Sequence, residues 1–187
     1  MKIAYYCDMD GVLARWNEKA TQEEVQARGY FINREPEDSA IELVKILNER
    51  EGNVHILSSV YEDDHSKDEK IQWNALQGLH KIDQIYVPYG ADKNDYIQWD
   101  EGTIQVLIDD FKNNLESWRN AGGLAIKFHN GINNRSKLEI SHGGNVKVKT
   151  DSWTGFTINH KMSAEEMYIA VTGVAKLTAG WTFQQAG

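Results

Sequence analysis

The sequence predicts an α/β protein built on a Rossmann-like, doubly wound parallel sheet. Three observations carry the prediction. Short apolar β-type runs alternate with amphipathic helical runs along the first 130 residues. The helical runs are bounded by capping and glycine signals. Polar residues suited to chemistry gather just after the strand-like runs, where ligands sit in open parallel sheets.

The elements follow in order. Lys2 to Cys7 reads as a buried strand that runs straight into Asp8. Trp16 to Arg28 reads as a helix, with Thr21 and Glu24 spaced as a capping box inside it. Tyr30 to Glu37 is a loop that contains Pro36. Ser39 to Arg50 is an amphipathic helix with Ile41, Leu43, Val44, Ile46 and Leu47 as its apolar stripe, and Gly52 stops it. Val54 to Leu57 is a second strand ending at Ser58 and Ser59. Ser66 to Leu79 is a helix whose packing residues are Ile71, Trp73, Leu76 and Leu79. Gln84 to Val87 is a third strand, followed by a polar loop through Lys93. Thr103 to Ile108 is a fourth strand ending at Asp109 and Asp110. Asn113 to Asn120 is a helix stopped by Gly122 and Gly123, and Leu124 to Phe128 is a further strand. Alternation of this kind implies parallel pairing with right-handed crossovers and helices on both faces.

Beyond residue 134 the pattern changes. Lys137 to Ile140 and Val146 to Lys149 flank Gly143 and Gly144 as a hairpin. Ser163 and Glu166 form a capping box ahead of a last helix marked by Met167, Ala170, Val171, Val174 and Leu177. Trp153 and Phe156 are expected to dock the stretch between them onto the core. The expected organisation is a core over residues 1–134 and an extension over 135–187 packed on it.

Composition excludes several function classes. The 187 residues carry a formal charge of −8, the wrong sign for a protein that grips a nucleic-acid backbone nonspecifically. A small substrate is favoured, and stable nucleic-acid binding is not expected. No apolar run approaches the ~18 residues of a membrane span. The start of the chain lacks the basic flank and cleavage site of a secretory leader. Cys7 is the single cysteine, which fits a reducing compartment, so a cytoplasmic location is expected.

The chemistry is expected in one crevice. Asp8 and Asp10 follow the first strand, Ser58 and Ser59 the second, Lys93 the third, and Asp109 and Asp110 the fourth. Carboxylates this close need a cation, and oxygen-only donors suit Mg2+. No His or Cys cluster offers a zinc site, and the six histidines show no ligand spacing. One carboxylate can attack phosphorus to give an aspartyl-phosphate, and another can act as general acid and then base. Gly11 lets the chain turn beside a ligand. A hydroxyl and an ammonium can hold phosphate oxygens. The bland readings are a solvated turn for Asp8 and Asp10, loop or capping serines for Ser58 and Ser59, and N-cap residues for Asp109 and Asp110. Lys93 competes with Lys81 and Lys112, and Lys70 has a solvated helix face as its alternative. Trp16 has two readings, stacking on a base or packing in the core or cap. Glu62, Asp63 and Asp64 form an acidic loop that is either solvated or repels a second phosphate.

The run Asp8-Met9-Asp10-Gly11-Val12-Leu13 resembles the first motif of the haloacid dehalogenase (HAD) superfamily, Asp-x-Asp-Gly-x-Leu. Ser58, Lys93 and Ile108-Asp109-Asp110 resemble its second, third and fourth motifs, in the expected order. The resemblance covers roughly residues 2 to 130. Within the superfamily the chain is similar to the 5′(3′)-deoxyribonucleotidases, through Gly29-Tyr30-Phe31, Lys70 three residues ahead of Trp73, Leu107 to Asp110, and Phe128 with Asn130. The resemblance implies that Asp8 is nucleophile and metal ligand. It makes Asp10 the acid/base group and a ligand through its carbonyl. Asp110 becomes the third protein ligand of Mg2+, with Asp109 beside it holding a metal-bound water. Ser58, Ser59, Lys70 and Lys93 would contact phosphate. It implies a phosphatase acting on a small phosphorylated substrate, a nucleoside monophosphate first. A polynucleotide 3′-phosphatase and a non-catalytic nucleotide- or phosphate-binding module are the alternatives. The family's helical cap is reduced here to about residues 15–38. The tail beyond Arg135 has no mapped counterpart, and either partly closes the site or makes a homodimer contact.

Overall fold

The computed structural model describes residues 2–132, 137–140, 146–149 and 152–185. Six parallel strands form the main sheet: β1 (Lys2–Cys7), β2 (Val54–Val60), β3 (Asp83–Pro88), β4 (Thr103–Asp109), β5 (Leu124–His129) and, further along the chain, β8 (Phe156–Asn159). Their order is β3-β2-β1-β4-β5-β8. Between them come α1 (Gln22–Val25), α2 (Asp38–Arg50), α3 (Ser66–Leu76) and α4 (Lys112–Asn120). The antiparallel pair β6 (Lys137–Ile140) and β7 (Val146–Lys149) is separate from the main sheet, and α5 (Ala164–Gln185) ends the described chain. This is the expected doubly wound class. The β6–β7 pairing matches the expected hairpin, while Gly143, Gly144 and Arg135 lie outside the described residues.

Strand side chains alternate between two packed faces. On one face Tyr5, Cys7, Ile56, Val106, Ile108, Ile126 and Phe128 meet the inner sides of α2, α3 and α5. On the other, Ala4, Tyr6, Leu57, Leu107 and Ala125 meet Leu115 and Trp118 of α4. No helix crosses between β3 and β4; a single 3-10 turn, Lys93–Tyr96, takes its place. Sequence order therefore reverses between β1 and β4. The carboxyl ends of those two central strands diverge into a crevice at the switch point.

Several expected elements are corrected. The helix read from Trp16 to Arg28 is only the four residues of α1. Asn17 Oδ1 accepts from Lys19 N at 3.1 Å and bends the backbone into a turn. The helix starts only at the Thr21–Glu24 box, where Thr21 N donates to Glu24 at 2.7 Å and Glu24 N to Thr21 at 3.2 Å. Within α1 only Val25 is buried, so tertiary packing does not extend it. In α3, Trp73 is buried, and Leu79 just beyond the helix is too, but Ile71 is 40% and Leu76 73% exposed. The inward positions are Ser66, Glu69, Lys70, Trp73 and Asn74, a helical stripe that is mostly polar. Phe156 does not dock: it sits exposed on edge strand β8. Trp153 does, packing beside the α4 face under Arg119, with its Nε1 donating to Phe156 O at 3.0 Å. Leu177 faces outward. The Ser163–Glu166 box forms, with Ser163 N donating at 2.8 Å and Glu166 N at 3.3 Å. No helix among the described residues is long and apolar enough to cross a membrane.

Candidate active site

The site begins where β1 ends. Asp8 N still donates to Ile108 O of β4 at 2.9 Å, and the chain then folds into a tight loop. Met9 O accepts from Leu13 N and Ala14 N at 2.9 and 2.8 Å, and Gly11 N donates to Ala14 O at 2.7 Å. Gly11 has φ +84°, open to glycine at little cost. A Cβ there would collide with the Asp110 carboxylate. The loop and the end of β4 are thus fitted against each other. Asn130, just past β5, seals the fit by donating to Gly11 O at 3.0 Å and Asp110 Oδ2 at 2.8 Å.

Three carboxylates meet at this point. Asp8, Asp109 and Asp110 are all buried, and each offers an oxygen within 4.8 Å of the others, so they could hold a metal ion. Among them sits Lys93, only 2% exposed, with Nζ at 2.7 Å from Asp8 Oδ1 and 2.7 Å from Asp109 Oδ2. Of the three candidate lysines it is Lys93 that reaches the carboxylates: Lys81 is exposed, and Lys112 bonds Ser152 and Glu116 on the surface. Burial opposes the charge of Lys93, but Asp109 and Asp8 outweigh it and push its pKa up. Burial also raises Asp8 to about 7; Lys93 opposes the rise, and Asp109 and Asp10 add to it. Burial, then Asp109 and Asp8, push Asp110 well above the ordinary carboxylate range.

Asp10 faces elsewhere. Its carboxylate is bonded to Lys70 Nζ, which also donates to Ser58 Oγ at 3.1 Å and Ser59 O at 2.6 Å. Lys70 is almost fully buried and its Nζ lies 4.4 Å from the Phe31 ring centre. The solvated-face alternative for Lys70 is therefore excluded. Four carboxylates (Asp8, Asp10, Asp109, Asp110) and the ammonium groups of Lys70 and Lys93 thus meet at this end of the sheet.

A cavity of about 330 Å³ opens over these groups. Asp8, Asp10, Ser59, Lys70, Lys93 and Asp110 line its floor, and Trp16, Phe31, Tyr61, Tyr89 and Phe111 are among its walls. Ser58 and Asp109 stand behind the floor, fully buried. Asp109 has both oxygens engaged: Oδ1 accepts from Phe111 N at 2.8 Å, and Oδ2 from Asn114 at 2.9 Å as well as from Lys93. It does not cap α4, whose N-cap is Phe111. Trp16 lines the cavity and packs edge-on against Tyr30, in keeping with the packing reading. Asp63 caps the start of α3, accepting from His65 N at 3.0 Å and Ser66 N at 2.6 Å, and Asp64 pairs with Arg28.

Sequence reasoning gave no site role to Asn114, Asn130 or Glu69. Asn114 lay four residues beyond Asp110, on the inner turn of a predicted helix, and that spacing was the available signal. Glu69 carried none: buried acids are invisible without the segment they bind.

No family model matches the sequence, and no curated protein matches it. Among solved structures, the fold is similar to that of D,D-heptose 1,7-bisphosphate phosphatase from B. bronchiseptica, complexed with magnesium and phosphate. The TM-score is 0.47 and the identity 12%, over 68% of this chain and 80% of that chain. A likeness at this level leaves the chemistry to be argued from the site's own geometry.

Proposed function

We propose that this chain is a Mg2+-dependent phosphomonoesterase of the HAD type, working through an aspartyl-phosphate on Asp8. The observation that carries the reading is the placing of Asp8. It ends a central strand at the switch point, one oxygen is held by Lys93, and it shares a small cavity with Asp10 on the far side. The buried oxygen donors, clustered within 4.8 Å of one another, fit a divalent ion. Asp8 and Asp110 would hold it, with the Asp10 carbonyl as the HAD resemblance implies. Asp109, already engaged, steadies Lys93 and borders the ion. When bound, Mg2+ supplies the positive charge that lets a phosphate dianion approach these carboxylates.

The residues divide the work. An oxygen of Asp8 attacks phosphorus and the bond to the ester oxygen breaks. Asp10 gives that oxygen its proton, releasing an alcohol. Water then attacks the phosphorus of the aspartyl-phosphate as Asp10 takes a proton from it, freeing inorganic phosphate and restoring Asp8. Lys93 offsets charge at Asp8. Lys70, with Ser59 beside it in the cavity floor, takes a phosphate oxygen, and its shift from Asp10 lets that carboxylate take up from water the proton it then gives to the ester oxygen. Ser58 acts through Lys70.

The proposed substrate is a nucleoside monophosphate, a 5′(3′)-deoxyribonucleotidase reaction. The aromatic walls suit a planar leaving group, and the volume suits one small ligand. The test measures phosphate release with Mg2+ from dTMP, 4-nitrophenyl phosphate and a 3′-phosphorylated oligonucleotide. Release from the first two, abolished in Asp8→Asn, supports the reading. Turnover unchanged in Asp8→Asn overturns the mechanism. Preference for the oligonucleotide overturns the substrate, and tight nucleotide binding without release makes the chain a binding module.

A further inference from the structure

We propose that Glu69 is a positioning residue that selects the leaving group, by fastening the aromatic roof of the cavity to α3. The proposal rests on the phosphatase reading above and adds to it a determinant of specificity.

The roof is the turn from Gly29 to Phe31. Gly29 has φ +92°, and the turn then presents Phe31 to the cavity and to Lys70. Neighbouring residues hold part of the turn: Tyr30 N donates to Ala27 O at 3.1 Å and Asn33 Nδ2 to Gly29 O at 2.7 Å. The N–H groups of Gly29 and Phe31 are held from α3, by Glu69. Its Oε1 accepts from Gly29 N at 2.6 Å and its Oε2 from Phe31 N at 3.1 Å. The carboxylate is buried, and these two backbone N–H groups compensate its charge. One turn further along α3, Trp73 Nε1 donates to Arg34 O at 2.8 Å, so the same helix face grips the segment again. A third tie, Arg28 to Asp64, is more than half exposed on both sides and contributes little.

The consequence lies in the register of α3. Glu69 and Lys70 are adjacent, so the helix that carries the phosphate-binding lysine also carries the clamp on the roof. The distance from phosphate site to aromatic wall is thereby fixed by one rigid element rather than by a loop. A leaving group that stacks on Phe31 gains from the clamp, whereas a small aliphatic one does not touch it.

Glu69→Gln keeps the shape and leaves only one acceptor oxygen, so one of the two N–H groups loses its partner and the turn loosens. The expected result is a KM for 4-nitrophenyl phosphate raised at least about tenfold, with kcat within about threefold and the KM for glycerol phosphate within about twofold. Amide exchange at residues 29 and 31 should quicken. Asp68→Asn, on the exposed side of the same helix, removes the same charge and should change none of these. Phe31→Ala, which keeps the clamp and removes the ring, should reproduce the split in KM without quickening exchange at residue 29. An equal shift in KM for both esters, or no shift, overturns the proposal. Were the wild type to hydrolyse neither ester, the phosphatase reading would fall. The same comparison would then be made on calorimetric affinities for the two esters, and an unchanged ratio in Glu69→Gln would overturn this proposal too.

Discussion

Lys93→Met is the sharpest test of the electrostatics at the switch point. The ammonium lies 2.7 Å from both Asp8 and Asp109, and all three groups are buried. Methionine fills similar space without charge, so the change removes the counter-cation and little packing. Breaking a buried pair costs about 3–5 kcal/mol, because the partner is left charged and desolvated. For a chain of this size each kcal/mol moves Tm by roughly 2–4 °C, which puts the expected drop at about 6–20 °C at pH 8 without metal. The pH dependence has a definite sign. The folded-state pKa of Asp8 is raised to about 7, above its unfolded value, so ionised Asp8 opposes folding above that pH and the penalty fades as pH falls toward 4. Lys93 holds that pKa down, so the variant carries the proton at still higher pH. The loss should therefore be smaller at pH 5.5 than at pH 8. Thermal melts by circular dichroism in a chelating buffer, at both pH values, decide the matter. A drop under about 3 °C at pH 8, or one as large at pH 5.5, would refute the view that Lys93 compensates these carboxylates.

Three further outcomes follow from the same geometry. Gly11→Ala should lower stability by about 1–3 kcal/mol in urea, from the strain of positive φ alone, and weaken Mg2+ binding by pushing Asp110 off Asn130; wild-type stability would contradict the close fit. Mg2+ affinity should fall as pH drops below 7, by about tenfold per pH unit for each proton displaced from Asp8 or Asp110, measured by calorimetry in buffers of different ionisation enthalpy; a flat profile from pH 8 to 6 would remove these two from the ion's ligands. Ser163→Ala should cost about 1 kcal/mol of stability in urea without altering turnover, since the box it opens lies at the start of α5; no change would mean that α5 is held by its packing alone.

The fold was legible because its strands are buried on both faces and read as continuous apolar runs. Lys2 to Cys7, Val54 to Leu57 and Leu124 to Phe128 leave no other assignment. The errors have separate physical origins. Reading α3 by its apolar residues placed Ile71 and Leu76 inside, whereas the helix turns Glu69 and Lys70 inward to the Gly29–Phe31 turn and the carboxylate cluster, and Asn74 inward to Gln84 and Tyr86 of β3. Periodicity reports hydrophobicity, and here buried polar contacts override it. The segment from Trp16 to Arg28 misled for the opposite reason: local helix signals were present, but packing to sustain them was not. Strand β8 escaped notice because an edge strand with two exposed residues, Phe156 and Thr157, has no clear alternation. Within the site, Asp8, Asp10, Lys93 and Asp110 were visible from their places at strand ends. Their partners were not, because Asn130 reaches Asp110 and Gly11 from a distant part of the chain.

Asp8 and Asp10 are two residues apart yet inhabit different surroundings, and the Gly11 loop is the cause. A strand would point both side chains to the same face. Here the chain leaves β1 at Asp8, and the loop closes on Met9 O, with Asp10 bridged to Ala14. Asp8 stays in the acid cluster against Lys93, while Asp10 turns out to Lys70 and the aromatic side of the cavity. One carboxylate is thereby held among like charges, where losing charge to an electrophile is favoured, and the other is tied to a cation that an arriving phosphate can draw away. Two carboxylates given different partners take different parts in a proton-coupled transfer. In the proposed mechanism the loop, more than either acid alone, separates a nucleophile from an acid/base group in residues that a regular strand would have left equivalent.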